Sequence, residues 1–136
     1  MEVACVGSPK TFSCPEYTPP SPPPIVLQYE WYKQDCTLSP QQICDNDLRV
    51  AVHIAINGEV QVSETEGDLA GRGSISGTDG SLTIDSVILS DQHAYTCIFP
   101  GLHRREVDLM VYGKHYILQP ININMLYNSY ICKELW

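Results

Sequence analysis

Asp91-Gln92-His93-Ala94-Tyr95-Thr96-Cys97 is the stretch that decides the reading of this 136-residue chain, with Tyr two residues before the cysteine and Asp six before it. On a strand, side chains alternate between faces, so Tyr95 and Cys97 share one side while Ala94, Thr96 and Ile98 take the other. Upstream, Phe12 and Cys14 share a face in a run over residues 10–14, and Trp31 sits in a longer alternating run over 25–34. In that run Leu27, Tyr29, Trp31 and Lys33 face one way, and Gln28, Glu30, Tyr32 and Gln34 the other. A cysteine, a tryptophan and a second cysteine, each on its own strand, outline an interior enclosed from two sides.

The rest of the chain reads as short strands punctuated by turn signals. Residues 3–6 and 10–14 flank Gly7-Ser8-Pro9 and are expected to form a hairpin. Residues 15–24 hold six of the ten prolines, which cannot donate to a ladder and favour stiff, extended backbone, so this segment is a loop. The pattern 48–56, Asn57-Gly58, 59–63 is a hairpin signal, because Asn-Gly supplies the positive φ angles of a two-residue type I′ turn. An acidic loop over 64–71 leads to strands at 73–76 and 81–87, a corner at 90–93, a strand at 94–99 and a turn at Pro100-Gly101-Leu102. Val107, Leu109 and Val111 then alternate with Glu106, Asp108 and Met110, as a half-buried strand requires. One domain over residues 1–113 is expected, followed by a C-terminal extension over 114–136.

Sixteen acidic against eight basic residues give a formal charge of −8. That balance argues against nucleic acid as a partner, since phosphate binding needs a basic face to release counterions. Six cysteines, with no C-x-x-C pair and no histidine at zinc-finger spacing, read as disulfides and place the chain in an oxidising, extracellular setting. The start Met1-Glu2 lacks the basic and apolar regions of a signal peptide, so the chain reads as a mature or partial product. No stretch approaches 18 apolar residues, and no membrane insertion within this chain is expected.

Cys14, Trp31 and the Asp91 to Cys97 run together resemble the variable-type, or V-set, branch of the immunoglobulin superfamily. The resemblance implies an all-β fold: a two-sheet antiparallel sandwich with the extra strands C′ and C″, supplied by the Asn57-Gly58 hairpin. It implies a disulfide from Cys14 to Cys97 between the sheets, with Trp31 against it and Tyr95 as the corner tyrosine. Arg72 and Asp91 match the ion pair that closes the lower end of such domains. His93 departs from the pattern, which usually has a small residue there. The final strand, Val107-Asp108-Leu109-Met110-Val111-Tyr112-Gly113, lacks the Phe/Trp-Gly-x-Gly bulge of antigen receptors, so antibody-style pairing is not expected.

The remaining cysteines allow two local readings. Cys36 and Cys44 bracket a seven-residue loop and are expected to bridge. Cys132 either pairs with Cys5, leaving no orphan thiol, or belongs to the first strands of a second domain, since Ile121, Ile123 and Met125 alternate with Asn122 and Asn124.

Four histidines in separate elements make neither a triad nor a metal pattern, and no enzyme activity, metal or cofactor is expected. Asp45 with Asp47 and the Glu64, Glu66, Asp68 group lack the loop grammar of a calcium site. The family resemblance implies binding through the face of strands G, F, C and C′ or through the adjacent loops. Residues expected to point out from that face are Glu30, Tyr32, Gln34, Thr96, Ile98, Asp108 and Met110, with Arg49 and His53 beside them. The candidate partner-binding set is Tyr32, Gln34, Thr96, Ile98, Phe99, Leu102 and Met110, the apolar centre being Tyr32, Ile98 and Met110. The expected function is an extracellular protein-recognition module of an adhesion or immune-type receptor, meeting a protein ligand or a second copy of itself. The alternative is a structural spacer in a multi-domain ectodomain.

Overall fold

The computed structural model describes residues 1–34, 47–101 and 103–113. Among these, nine strands run β1 (Glu2–Cys5), β2 (Lys10–Phe12), β3 (Val26–Gln34), β4 (Leu48–Ile56), β5 (Glu59–Thr65), β6 (Gly73–Ile75), β7 (Leu82–Ile84), β8 (His93–Phe99) and β9 (His103–Tyr112). They form a six-stranded sheet in the order β1-β9-β8-β3-β4-β5 and a three-stranded sheet in the order β2-β7-β6. The chain is therefore a two-sheet, almost entirely β sandwich.

The expected hairpin between the first two strands does not form. β1 pairs in parallel with β9, whereas β2 pairs antiparallel with β7, so the chain changes sheets at Gly7-Ser8-Pro9. Gly7 adopts φ 89° there, and the Ser8 hydroxyl donates to the Cys5 carbonyl at 2.6 Å. Each of the two short strands finds its ladder in a distant part of the chain, where Ala4 and Phe12 are also buried in the common core. At the other turn read from sequence, Asn57 and Gly58 have φ 53° and 80°, and both central residues take the left-handed conformation of a type I′ turn.

The interior is built on β3. Tyr29 and Trp31 are buried, and Trp31 lies in register with Cys97 of β8. Cys14 and Cys97 form a disulfide with Cα atoms 5.7 Å apart. Phe12 meets the Trp31 ring edge-on at a centroid distance of 5.2 Å, and the Trp31 indole N–H donates to the Gly80 carbonyl at 2.8 Å. Aromatic rings in such edge contacts bury large areas and add a favourable electrostatic component. Leu82, Ile84 and Val87 close the core from the small sheet and the segment after it.

The lower pole is tied by polar groups. The Tyr95 hydroxyl donates to the Asp91 carbonyl at 2.7 Å. Arg72 grips the buried Asp91 carboxylate with both terminal nitrogens, at 3.1 and 2.7 Å, and that carboxylate also accepts the Ile88 N–H at 2.9 Å. Cys5 is disulfide-bonded as well. Its expected partner Cys132, the expected Cys36 to Cys44 bridge and the extension over 114–136 lie outside the described residues.

Candidate interaction surface

The outer face of the six-stranded sheet takes its side chains from strand parity. Because Tyr29 and Trp31 point inward, Glu30 and Tyr32 point outward, across from Ile98 and Thr96 of β8. Glu106, Asp108 and Met110 of β9 extend the same surface, since Val107, Leu109 and Val111 are buried on the opposite side. On β4 the pairing slips between Trp31 and Tyr32, so that Tyr32 faces Arg49 and Val50 turns into the core. A bulge of this kind re-aims the side chains after it.

Glu30 is the polar hub of this face. Its carboxylate accepts hydrogen bonds from Gln28 Nε2 at 2.7 Å and from the Tyr32 hydroxyl at 2.9 Å, and lies 3.3 Å from an Arg49 terminal nitrogen. Arg49 also donates from Nε to Glu66. Burial, followed by the bond to Glu30, pushes the Tyr32 phenol up to about 12. Nearby, burial and then the adjacent Asp108 raise the Glu106 carboxyl above its ordinary value. Beside Glu30, a shallow groove of ≈320 Å3 runs between Val26, Ile98 and Pro100.

The partner-binding candidates separate into groups. Tyr32, Ile98 and Met110 are half-buried on the outer face. Gln34 and Thr96 are on the same face but do not reach solvent: the Gln34 amide donates to the Thr96 hydroxyl, and the two residues are 4% and 0% exposed. Phe99 is corrected from surface to core, because it continues the inward series of Tyr95 and Cys97 and packs 4.7 Å from the Tyr29 ring. His53 is likewise inward, opposite Tyr29 in register and stacked on it. Leu102 lies outside the described residues.

Sequence reasoning missed a second concave feature at the loop end of the sandwich. A cleft of ≈700 Å3 lies between the proline-rich loop, the Asn57-Gly58 turn and the turn at Gly77-Thr78. Leu27, Tyr29, His53 and Ala55 line it from the six-stranded sheet, and Pro20 and Pro24 from the loop. The signal was present in the alternation of β3 and the density of prolines, but the approach of Gly77 to His53 is a tertiary contact that neither reveals.

A model of the immunoglobulin V-set domain family matches residues 3–112. No curated protein sequence matches the chain. Among solved structures, the CD2-binding domain of CD58 aligns at 20% identity over 82% of this chain and 52% of that one, with a TM-score of 0.51. The chain thus spans about half the length of the CD58 chain. The extracellular domain of the voltage-gated sodium channel beta4 subunit aligns at 18% identity over 82% and 89% of the two chains, with a TM-score of 0.55. CD84, a SLAM family protein, aligns at 17% identity over 82% and 94%, also with a TM-score of 0.55. At these identities the likeness is one of fold.

Proposed function

The chain belongs to the immunoglobulin V-set family, and on that premise we propose that it is an extracellular protein-recognition module, part of an adhesion or immune-type receptor, rather than an enzyme. It binds its protein partner through the outer face of the six-stranded sheet. The observation that carries this reading is the placement of half-buried Tyr32 and Ile98 beside the Glu30 carboxylate, with half-buried Met110 further along the same face. A few aromatic and aliphatic anchors ringed by polar groups are what a protein interface of ordinary size uses, and they account for most of its binding energy. Glu30, Glu66, Glu106 and Asp108 outnumber the basic groups nearby, so the face suits a partner with basic side chains, and opposite charge there raises the association rate.

Two of the similar structures carry descriptions that support the same kind of module. One is the CD2-binding domain of CD58, and the other is a parallel homodimer of the sodium channel beta4 subunit with a role in cell-cell adhesion. For this chain either a distinct protein or a second copy fits the face. The test is a binding screen against extracellular proteins, with light scattering at two protein concentrations, repeated with Tyr32→Ala and Ile98→Ala. Loss of capture or of self-association in both variants is expected. A partner held equally well by both variants moves the site elsewhere, and the absence of any partner or self-association favours a spacer.

A further inference from the structure

Cys5 closes β1, is 1% exposed and is disulfide-bonded within this chain. Cys14 and Cys97 are bonded to each other, so the partner of Cys5 is Cys36, Cys44 or Cys132. The register of the six-stranded sheet separates these three by reach.

Two cysteines bridge only when their Cα atoms come within ~7 Å. β9 and β8 lie between β1 and β3, so at about 4.8 Å per strand β1 and β3 are roughly 14 Å apart. Gln34 ends β3 level with Ala94 and Asp108, whereas Cys5 is level with Tyr112, further along β9 in the direction in which β3 also runs. At ~3.3 Å per residue that offset is about 13 Å, which puts Gln34 roughly 19 Å from Cys5. Cys36 follows Gln34 by two residues, and fully extended chain over that span covers only about 7 Å, leaving about 12 Å to Cys5.

Cys44 falls short in the same way. Leu48 opens β4 one strand beyond β3, in register with Lys33, and lies roughly 25 Å from Cys5 on the same spacings. The chain back from Leu48 to Cys44 spans at most about 14 Å, which leaves a gap wider than a disulfide allows. Cys132 meets no such limit. The chain leaves β9 beside Cys5, where the Tyr112 carbonyl accepts the Val6 N–H at 2.9 Å, and residues 114–131 give it ample length to return.

We infer that Cys5 is bonded to Cys132, which makes the C-terminal extension a covalent strap closed on the edge strand of this domain. A cysteine forms one disulfide, so the bond rules out Cys132 as the bridging cysteine of a second sandwich. It also leaves Cys36 and Cys44 to bond each other. β1 has four residues and a single neighbour in the sheet, to which it pairs in parallel, the weaker arrangement per residue. A bond at its last residue keeps it from peeling away. Val3 stands opposite Met110, so the strap steadies the β9 margin of the outer face as well.

Tryptic mapping of the alkylated, unreduced full chain separates the three partners. Cleavage leaves Cys5 on residues 1–10, Cys36 and Cys44 together on 34–49, and Cys132 on 115–133. A link between 1–10 and 115–133, in protein of monomer mass, is expected. A link from 1–10 to 34–49, a free thiol at Cys5 or Cys132, or a link only between two copies overturns the assignment. The double variant Cys5→Ser, Cys132→Ser retains the Cys14 to Cys97 bridge, and amide hydrogen exchange reads the strap's effect on β1. Exchange in β1 is expected to be about tenfold faster than in the parent, with Tyr95 to Cys97 as protected as before. Unchanged exchange in β1 would show that the strap does not hold the edge strand.

Discussion

Trp31 donates its indole N–H to the carbonyl oxygen of Gly80 at 2.8 Å, so the central ring of the larger sheet is tied to the turn that joins β6 and β7 of the smaller one. Gly80 has φ 74°, and a Cβ there would lie 2.6 Å from the Phe99 ring and 2.8 Å from the Tyr29 ring. Both rings are locked in the core, so neither can yield at low cost. Gly80→Ala is expected to destabilise the domain by about 3 kcal/mol or more, from backbone strain and overpacking together. Urea unfolding should show a lower midpoint with an unchanged slope.

Arg72 and Asp91 are expected to respond unequally to truncation. Asp91 is 1% exposed, while the Arg72 side chain retains access to water at 29%. Arg72→Ala strands a buried carboxylate and is expected to cost about 3 kcal/mol, whereas Asp91→Ala leaves a guanidinium that water can reach and costs less. A double-mutant cycle by chemical denaturation measures both and their coupling. Equal costs would mean that the carboxylate finds other compensation.

Tyr32 should ionise near pH 12, about two units above an ordinary phenol. Burial is the main cause and Glu30 the next. Glu30→Gln keeps a hydrogen-bond acceptor but removes the negative charge, so the Tyr32 pKa is expected to fall while staying above that of an ordinary phenol. An NMR titration of the ring carbon bonded to oxygen reads this directly. No change would remove Glu30 as a determinant.

Glu106 carries a pH signature of the opposite kind from a salt-bridged acid. Its folded-state pKa is raised by burial and by Asp108, so the folded chain holds the proton more tightly than the unfolded one. Stability from this group is present at low pH and is lost as pH rises from the unfolded value through the folded one. Glu106→Gln is therefore expected to raise the melting temperature at neutral pH, with the gain shrinking below about pH 4 and in high salt. A variant less stable than the parent at neutral pH contradicts this.

What the sequence disclosed divides along physical lines. Cys14, Trp31, Tyr95, Cys97 and the Asn57-Gly58 turn were legible because each depends on local spacing, strand parity or turn chemistry. The sheet change at Gly7-Ser8-Pro9 was not, because the pairing of β1 with β9 is decided at the far end of the domain. Phe99 was readable in principle, since it continues the parity of Cys97, but its nearness to the Pro100-Gly101 turn suggested a loop contact. Gln34 and Thr96 obey parity and still fail as contact residues, because parity tells which face a side chain takes and not whether that face is open there. His53 sits beyond the slip at Val50, where a count carried along β4 from Arg49 loses its register.

The parallel pairing of β1 with β9 also has a mechanical consequence. Glu2 lies opposite Leu109 and Cys5 opposite Tyr112, so the two strands run side by side in one direction. A pull that draws residue 1 and residue 113 away from each other acts along both strands and loads their hydrogen bonds in shear. Those bonds share the load and must yield together, whereas an antiparallel pair pulled from its open end would unzip bond by bond. A domain held between two surfaces would thus resist extension through this short ladder before its core is disturbed.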